Sequence, residues 1–174
     1  GHAAAYGFGA YCSGWLLINT DLSLPSAVFV AAITSGVLAI GVAWVCTRST
    51  GVSFSMLTLA FAQLLYAITF RWTSVTGGSD GLAGIPRSPG PFGLTALTGK
   101  TGFYFFVLGL LVAAFLLCRQ LVNSPFGAVL RGIRENEDKT LALGYNTRAY
   151  KIGVVALSYA LGGLAGALYA PFAG

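Results

Sequence analysis

Charge is scarce in this sequence. Only 9% of its 174 residues are Asp, Glu, Lys or Arg, where a soluble domain carries about 25%. Apolar side chains make up 56% and the mean hydropathy is +0.77, which excludes an ordinary water-soluble domain and reads as a membrane protein. Histidine is represented by His2 alone, so a zinc or haem site lacks its usual ligands. The three cysteines, Cys12, Cys46 and Cys118, are odd in number and widely spaced, which gives neither a disulfide framework nor a CxxC metal pattern. No cofactor is expected. Methionine also occurs once, at Met56, and the chain opens at Gly1 and stops at Gly174 inside an apolar run; this reads as an internal fragment lacking both ends.

What is abundant is uncharged sequence in long runs. They fall at about 3–18, 25–46, 52–70, 102–118 and 152–173, predicting an all-α, polytopic transmembrane bundle with about five spans in a single domain. At 1.5 Å per residue the two longest reach about 33 Å, while the first and fourth reach only about 24–26 Å and read as tilted, broken or clipped helices. Trp15, Trp44 and Trp72 sit near segment ends, as an interfacial aromatic belt requires.

The ten basic residues orient the segments. Six lie in the 119–151 connection (Arg119, Arg131, Arg134, Lys139, Arg148 and Lys151), and Arg48 lies in the turn between the second and third segments. Alternating spans put both on one side, which the positive-inside rule makes the cytoplasm. The 71–101 connection, with Arg71, Arg87 and Lys100, falls outside.

Small residues are placed for helix packing. Ser158, Gly162, Gly166 and Ala170 recur every four residues and form one groove on the last span, through which a neighbouring backbone can approach closely. The first segment carries Gly7, Gly9 and Gly14 among Tyr6, Phe8 and Tyr11. Each glycine weakens a helix by about 1 kcal/mol relative to alanine, so a kinked helix lining a pathway is one reading there. Gln63 stands mid-span with Ser53, Ser55, Thr58 and Thr69 on the same segment; it must bond another helix or face an aqueous path. Gly7, Gly9, Tyr11 and Gln63 are therefore pathway candidates.

Two connections draw attention. The outer one contains Gly77-Gly78-Ser79-Asp80-Gly81, long enough to be functional; Gly77, Gly78, Asp80 and Gly81 are candidates for an external mouth, although Asp80 also fits a simple Asx turn. One carboxylate is too few for a calcium cage. Thr98-Gly99-Lys100-Thr101 imitates the end of a P-loop, but the earlier glycine would have to stand where Leu94 is, and the strand that sets such a loop is missing. In the inner connection, Ser124-Pro125 starts a helix as N-cap and first residue. Phe126, Val129, Leu130 and Ile133 follow at i, i+3, i+4 and i+7. Opposite them Arg131–Glu135, Arg134–Asp138 and Glu135–Lys139 are spaced to pair, and Gly144 marks a helix stop. Such an amphipathic element is either an interfacial anchor or a docking helix whose apolar face enters a groove on a soluble partner. No nucleophile, base and orienter are grouped anywhere, so the chain does not read as an enzyme.

Taken in order, Gly1-His2-Ala3-Ala4 and Gly7-Phe8-Gly9-Ala10-Tyr11, Leu57-Thr58-Leu59-Ala60-Phe61-Ala62, Gly77-Gly78-Ser79-Asp80-Gly81-Leu82, Gly84-Ile85-Pro86, Ser124-Pro125-Phe126-Gly127, Arg134-Glu135-Asn136-Glu137, Ala142-Leu143-Gly144 and Gly163-Leu164-Ala165-Gly166-Ala167-Leu168-Tyr169-Ala170 resemble the permease subunits of branched-chain amino acid ABC importers, nearer the LivM type than its LivH-type partner. The resemblance spans nearly the whole chain. It implies a multi-pass protein of the bacterial inner membrane working with a LivH-type second permease, two cytoplasmic ATPases and a periplasmic solute-binding protein. Nucleic acid is not an expected partner. It assigns 124–144 to coupling with the ATPases, through Pro125, Phe126, Gly127, Leu130, Arg131, Ile133, Arg134, Glu135, Asn136, Glu137 and Gly144. Leucine, isoleucine and valine are the implied cargo, with urea, short amides and other amino acids left open. A secondary carrier or channel is the alternative of another class; the absence of carboxylates inside the spans counts against a proton-coupled one.

Overall fold

The structure, a computed structural model, describes residues 2–20, 22–49, 51–72, 76 and 100–173. They form helices α1 (His2–Asn19), α2 (Leu24–Cys46), α3 (Val52–Arg71), α4 (Lys100–Asn123), α5 (Pro125–Glu135), α6 (Glu137–Ala142) and α7 (Thr147–Ala173), with no strand among the described residues. Each charge-free run thus became a helix, the fourth running five residues further and the last beginning five residues earlier. Four are long and apolar enough to cross a membrane: α2, α3, most of α4 and most of α7. The first segment, expected as a fifth span, is an unbroken helix of 18 residues, about 27 Å long. Its glycines, serine and terminal His2 and Asn19 dilute its apolar character, and they do not break it.

α7 is the axis of the bundle, packed chiefly on α1 and α2. It runs parallel to α1: His2 meets Ser158, Ala5 meets Gly162 and Ser13 meets Ala167. It runs antiparallel to α2, where Ala39 packs with Tyr159, Ser35 faces Gly163 and Ala31 packs with Ala167. The expected groove is this seam. A Cβ on Gly166 would stand 2.7 Å from the carbonyl carbon of Tyr6 and 3.1 Å from the amide nitrogen of Ala10, and one on Gly163 would strike the Ser35 side chain. Ala5, Ala31, Ala39 and Ala167 are buried along the seam. Lipid tails are as apolar as any core side chain, so helices gain by close backbone contact and by satisfied hydroxyls. Ser13 donates to the Ala10 and Ala167 carbonyls, and Ser35 to Ala31.

The outer spans are attached differently. α4 leans on the core through Phe103 and Phe106, against Leu17, Leu24 and Ala27, and through Leu110. Neither α3 nor α4 has a buried residue in its apolar window. At one end of the bundle, Arg148 of α7 donates from its Nη2 to the Trp44 carbonyl at 2.9 Å and from Nε to Thr47 Oγ1 at 3.4 Å. The turn after α2 and the 119–151 connection therefore share an end, as alternation of the spans required.

Candidate functional site

Two places bring the sequence candidates together. The first is a cavity of about 450 Å³ between α1 and α3, lined by Ala3, Ala4, Gly7, Phe8, Tyr11, Ala62, Gln63, Leu65, Tyr66 and Thr69. Nothing occupies the space where a Gly7 Cβ would project. Gln63 is exposed and lies on the cavity wall rather than bonding a neighbouring helix. An apolar lining with one amide and a few hydroxyls suits a small, largely apolar solute. Gly9 differs from the expectation that grouped it with these residues. A Cβ there would lie 2.6 Å from the Gly163 Cα, so Gly9 belongs to the α1–α7 seam, two positions round the helix from Gly7. The mouth candidates Gly77, Gly78, Asp80 and Gly81 lie outside the described residues.

The second place is the elbow formed by α5 and α6. Ser124 ends the turn from α4, its Oγ donating to the Leu121 carbonyl at 2.6 Å and accepting from the Gly127 amide at 3.3 Å. Pro125 occupies the first turn. Gly127 is buried because the Leu121 and Val122 carbonyls fill the space a Cβ would take, with the Val122 carbonyl carbon 2.7 Å away. Asn136 then closes one helix and opens the next: its amide donates to Gly132 at 2.9 Å, and its Oδ1 accepts from the Lys139 amide at 3.0 Å. Gly144, at φ +88°, ends the element in the left-handed region that favours glycine.

The elbow does not present the face anticipated from its periodicity. Phe126 stacks on Tyr150 with centroids 5.2 Å apart and planes 27° from parallel, and its ring lies 3.4 Å from where a Gly153 Cβ would be. Val129, Leu130 and Ile133 are likewise half-buried. The tight turn at Gly127 brings Phe126 of this stripe against the first turns of α7. Exposed instead are Arg131, Arg134, Glu135 and Asn136, with Leu141, Tyr145 and above all Leu143, which is 76% accessible.

The charge pairs are also different. None of the three expected i,i+4 pairs forms; the break at Asn136 separates the partners in two of them. Glu137 pairs instead with Lys151, whose Nζ lies 2.6 Å from both carboxylate oxygens, and it accepts from Thr147 Oγ1 at 3.1 Å. This is the one ion pair among the described residues. The Lys151 hydrogen bond holds the Glu137 carboxyl below its ordinary pKa, helped by Thr147 and opposed in part by burial. Sequence reasoning missed the pair because its members are fourteen residues apart. A carboxylate opening a short helix, followed beyond a glycine stop by a basic residue one turn into a long helix, was the available signal.

Comparison with known proteins covers the same stretch. The family model for the branched-chain amino acid transport system permease component matches residues 1–174. The high-affinity branched-chain amino acid transport system permease protein LivM of Escherichia coli K12 is 24% identical over 98% of this chain and 45% of its own length. The protein of the same name from Salmonella typhimurium LT2 matches equally. A probable branched-chain amino acid transport permease protein LivM from Methanocaldococcus jannaschii is 39% identical over 38% of this chain and 19% of its own length. The chain thus spans just under half the length of the first two. No solved structure matches it.

Proposed function

Because the chain belongs to the family of branched-chain amino acid transport permease components, we propose that it forms the transmembrane part of a permease subunit in an ABC importer moving leucine, isoleucine and valine. The family and the four apolar helices make it a multi-pass membrane protein, and the inner membrane is the place such an importer works. The observation that carries the reading is the family match along the entire chain. In this reading the subunit supplies passage and coupling, and two cytoplasmic ATPases supply hydrolysis. A second permease of LivH type completes the membrane part, and a periplasmic binding protein delivers the cargo.

The elbow is the surface we assign to the ATPase. The positive-inside rule favours the cytoplasmic side for its basic residues, and its outward face carries Arg131, Arg134 and Leu143. The α1–α3 cavity is the part of the pathway this chain contributes. Its lining accepts an aliphatic side chain and offers few polar groups to hold it, as a site that must release its cargo requires.

The test is uptake of labelled leucine into proteoliposomes holding the full-length complex. Uptake that needs ATP, both permeases and the binding protein is expected. Uptake driven by an ion gradient with the ATPases absent would overturn the reading in favour of a secondary carrier.

A further inference from the structure

The ion pair between Glu137 and Lys151 joins two parts of the molecule that the packing otherwise leaves lightly connected. Glu137 is the first residue of α6, the short helix at the tip of the elbow. Lys151 lies one turn into α7, the helix whose glycines rest on the backbones of α1 and α2. Few contacts hold α6 on α7, and the carboxylate bound by both Lys151 and Thr147 is the polar one among them. The neighbouring Arg148 grips the end of α2. The first turns of α7 therefore hold α6 on one side and α2 on the other.

From this arrangement we propose that Lys151 and Glu137 are positioning residues, forming the joint through which displacement of the elbow is passed to α7 and so to the packed bundle. The proposal rests on the ABC-permease reading of the elbow. α7 suits the receiving part, since backbone contacts with α1 and α2 along the seam leave no slack for it to slide alone. The joint also has room to move. A cavity of about 340 Å³ lies beside it, lined by Ser49, Gly51, Phe54, Val154 and Val155 together with the pair itself. α6 can shift toward the turn after α2 without displacing packed side chains. A charged pair suits such a joint better than apolar packing, because it tolerates small changes of angle while resisting separation.

The experiment measures leucine uptake and ATP hydrolysis together in proteoliposomes of the full-length complex. Lys151→Gln is expected to assemble and hydrolyse ATP while the leucine moved per ATP falls threefold or more, because α5 still leans on α7 through Phe126 and Tyr150. Lys151→Arg keeps the charge and should keep the ratio within twofold of the parent. The exchange Glu137→Lys with Lys151→Glu should recover at least half of the ratio that Glu137→Lys alone loses, a rescue that loss of folding would not permit. An unchanged ratio in Lys151→Gln, or an exchange no better than Glu137→Lys alone, overturns the joint while the transport reading stands. A parent complex without ATP-driven uptake overturns that reading and the joint with it.

Discussion

Between Gly162 and Ala170, α7 meets its neighbours where side chains are missing, whereas between Thr147 and Lys151 the same helix reaches α6 and α2 with long polar ones. The first contact is backbone on backbone and has one arrangement. The second is made of charged and hydroxyl groups that can turn about one another while staying bound. The bundle is rigid within its spans and able to pivot at its aqueous end. Packing in lipid rewards close approach, while the partly buried Glu137–Lys151 pair, held by hydrogen bonds to both carboxylate oxygens, keeps its partners together as their angle changes.

The largest expected effect is at the seam. Gly166→Leu places a branched side chain against the Tyr6 and Ala10 backbone. Overpacking costs about 1–3 kcal/mol, and more when the neighbour is backbone, so the full-length protein should lose most of its membrane level and thermal stability. Gly109→Leu is the control, since a Cβ at Gly109 meets nothing within 4 Å. Equal tolerance of both would show that the seam is not packed as described.

Next in size is Phe126→Ala at the elbow. A fully buried phenylalanine costs about 3–5 kcal/mol to truncate, and half-burial reduces this to about 2 kcal/mol. The loss should appear as faster proteolysis of the 124–144 segment with the spans unaffected. A protein whose elbow resists protease as well as the parent would show that the stacking on Tyr150 contributes little.

How much of this was legible in the sequence follows the physics of each contact. Spans were legible because a run without charge is long and local, and the seam because its four-residue spacing lies within a single helix. The stop at Gly144 and the cap at Ser124 were legible for the same reason. Gly7 and Gly9 could not be told apart without α7, since one faces a cavity and the other a backbone from 154 residues further on. The apolar stripe of α5 was visible, but its direction depended on how sharply Gly127 lets the chain turn, a matter of tertiary approach. The partner of Glu137 depended on the break at Asn136, which removes two of the local pairs that spacing offered.

A smaller effect distinguishes the two glycines. A Cβ at Gly7 meets nothing within 4 Å and projects into the α1–α3 cavity, so with Gly7→Leu stability should hold while leucine uptake falls severalfold; Gly9→Leu should damage assembly itself. Unchanged uptake in a well-folded Gly7→Leu protein would take the cavity off the pathway. The smallest effect is that of pH on the joint. With the carboxyl of Glu137 lowered in the folded state, its contribution is complete above the ordinary carboxylate pKa and is lost as pH falls through the lower, folded value. Exchange protection of α6 amides, corrected for intrinsic rates, should stay flat from neutral pH to the ordinary carboxylate range and drop only below it. A decline already evident near neutrality would contradict the pairing.

The proposed ATPase contact lies on the elbow's outward face, at the end of the bundle where α2 finishes and α7 begins. Its most direct test is a short cysteine-reactive photo-crosslinker placed on the assembled full-length complex, with Cys12, Cys46 and Cys118 replaced. Leu143→Cys should yield an adduct with an ATPase subunit, and Tyr66→Cys, on the cavity wall, should not. An ATPase adduct from position 66, or none from position 143 in a complex that still imports leucine with ATP, would contradict the account.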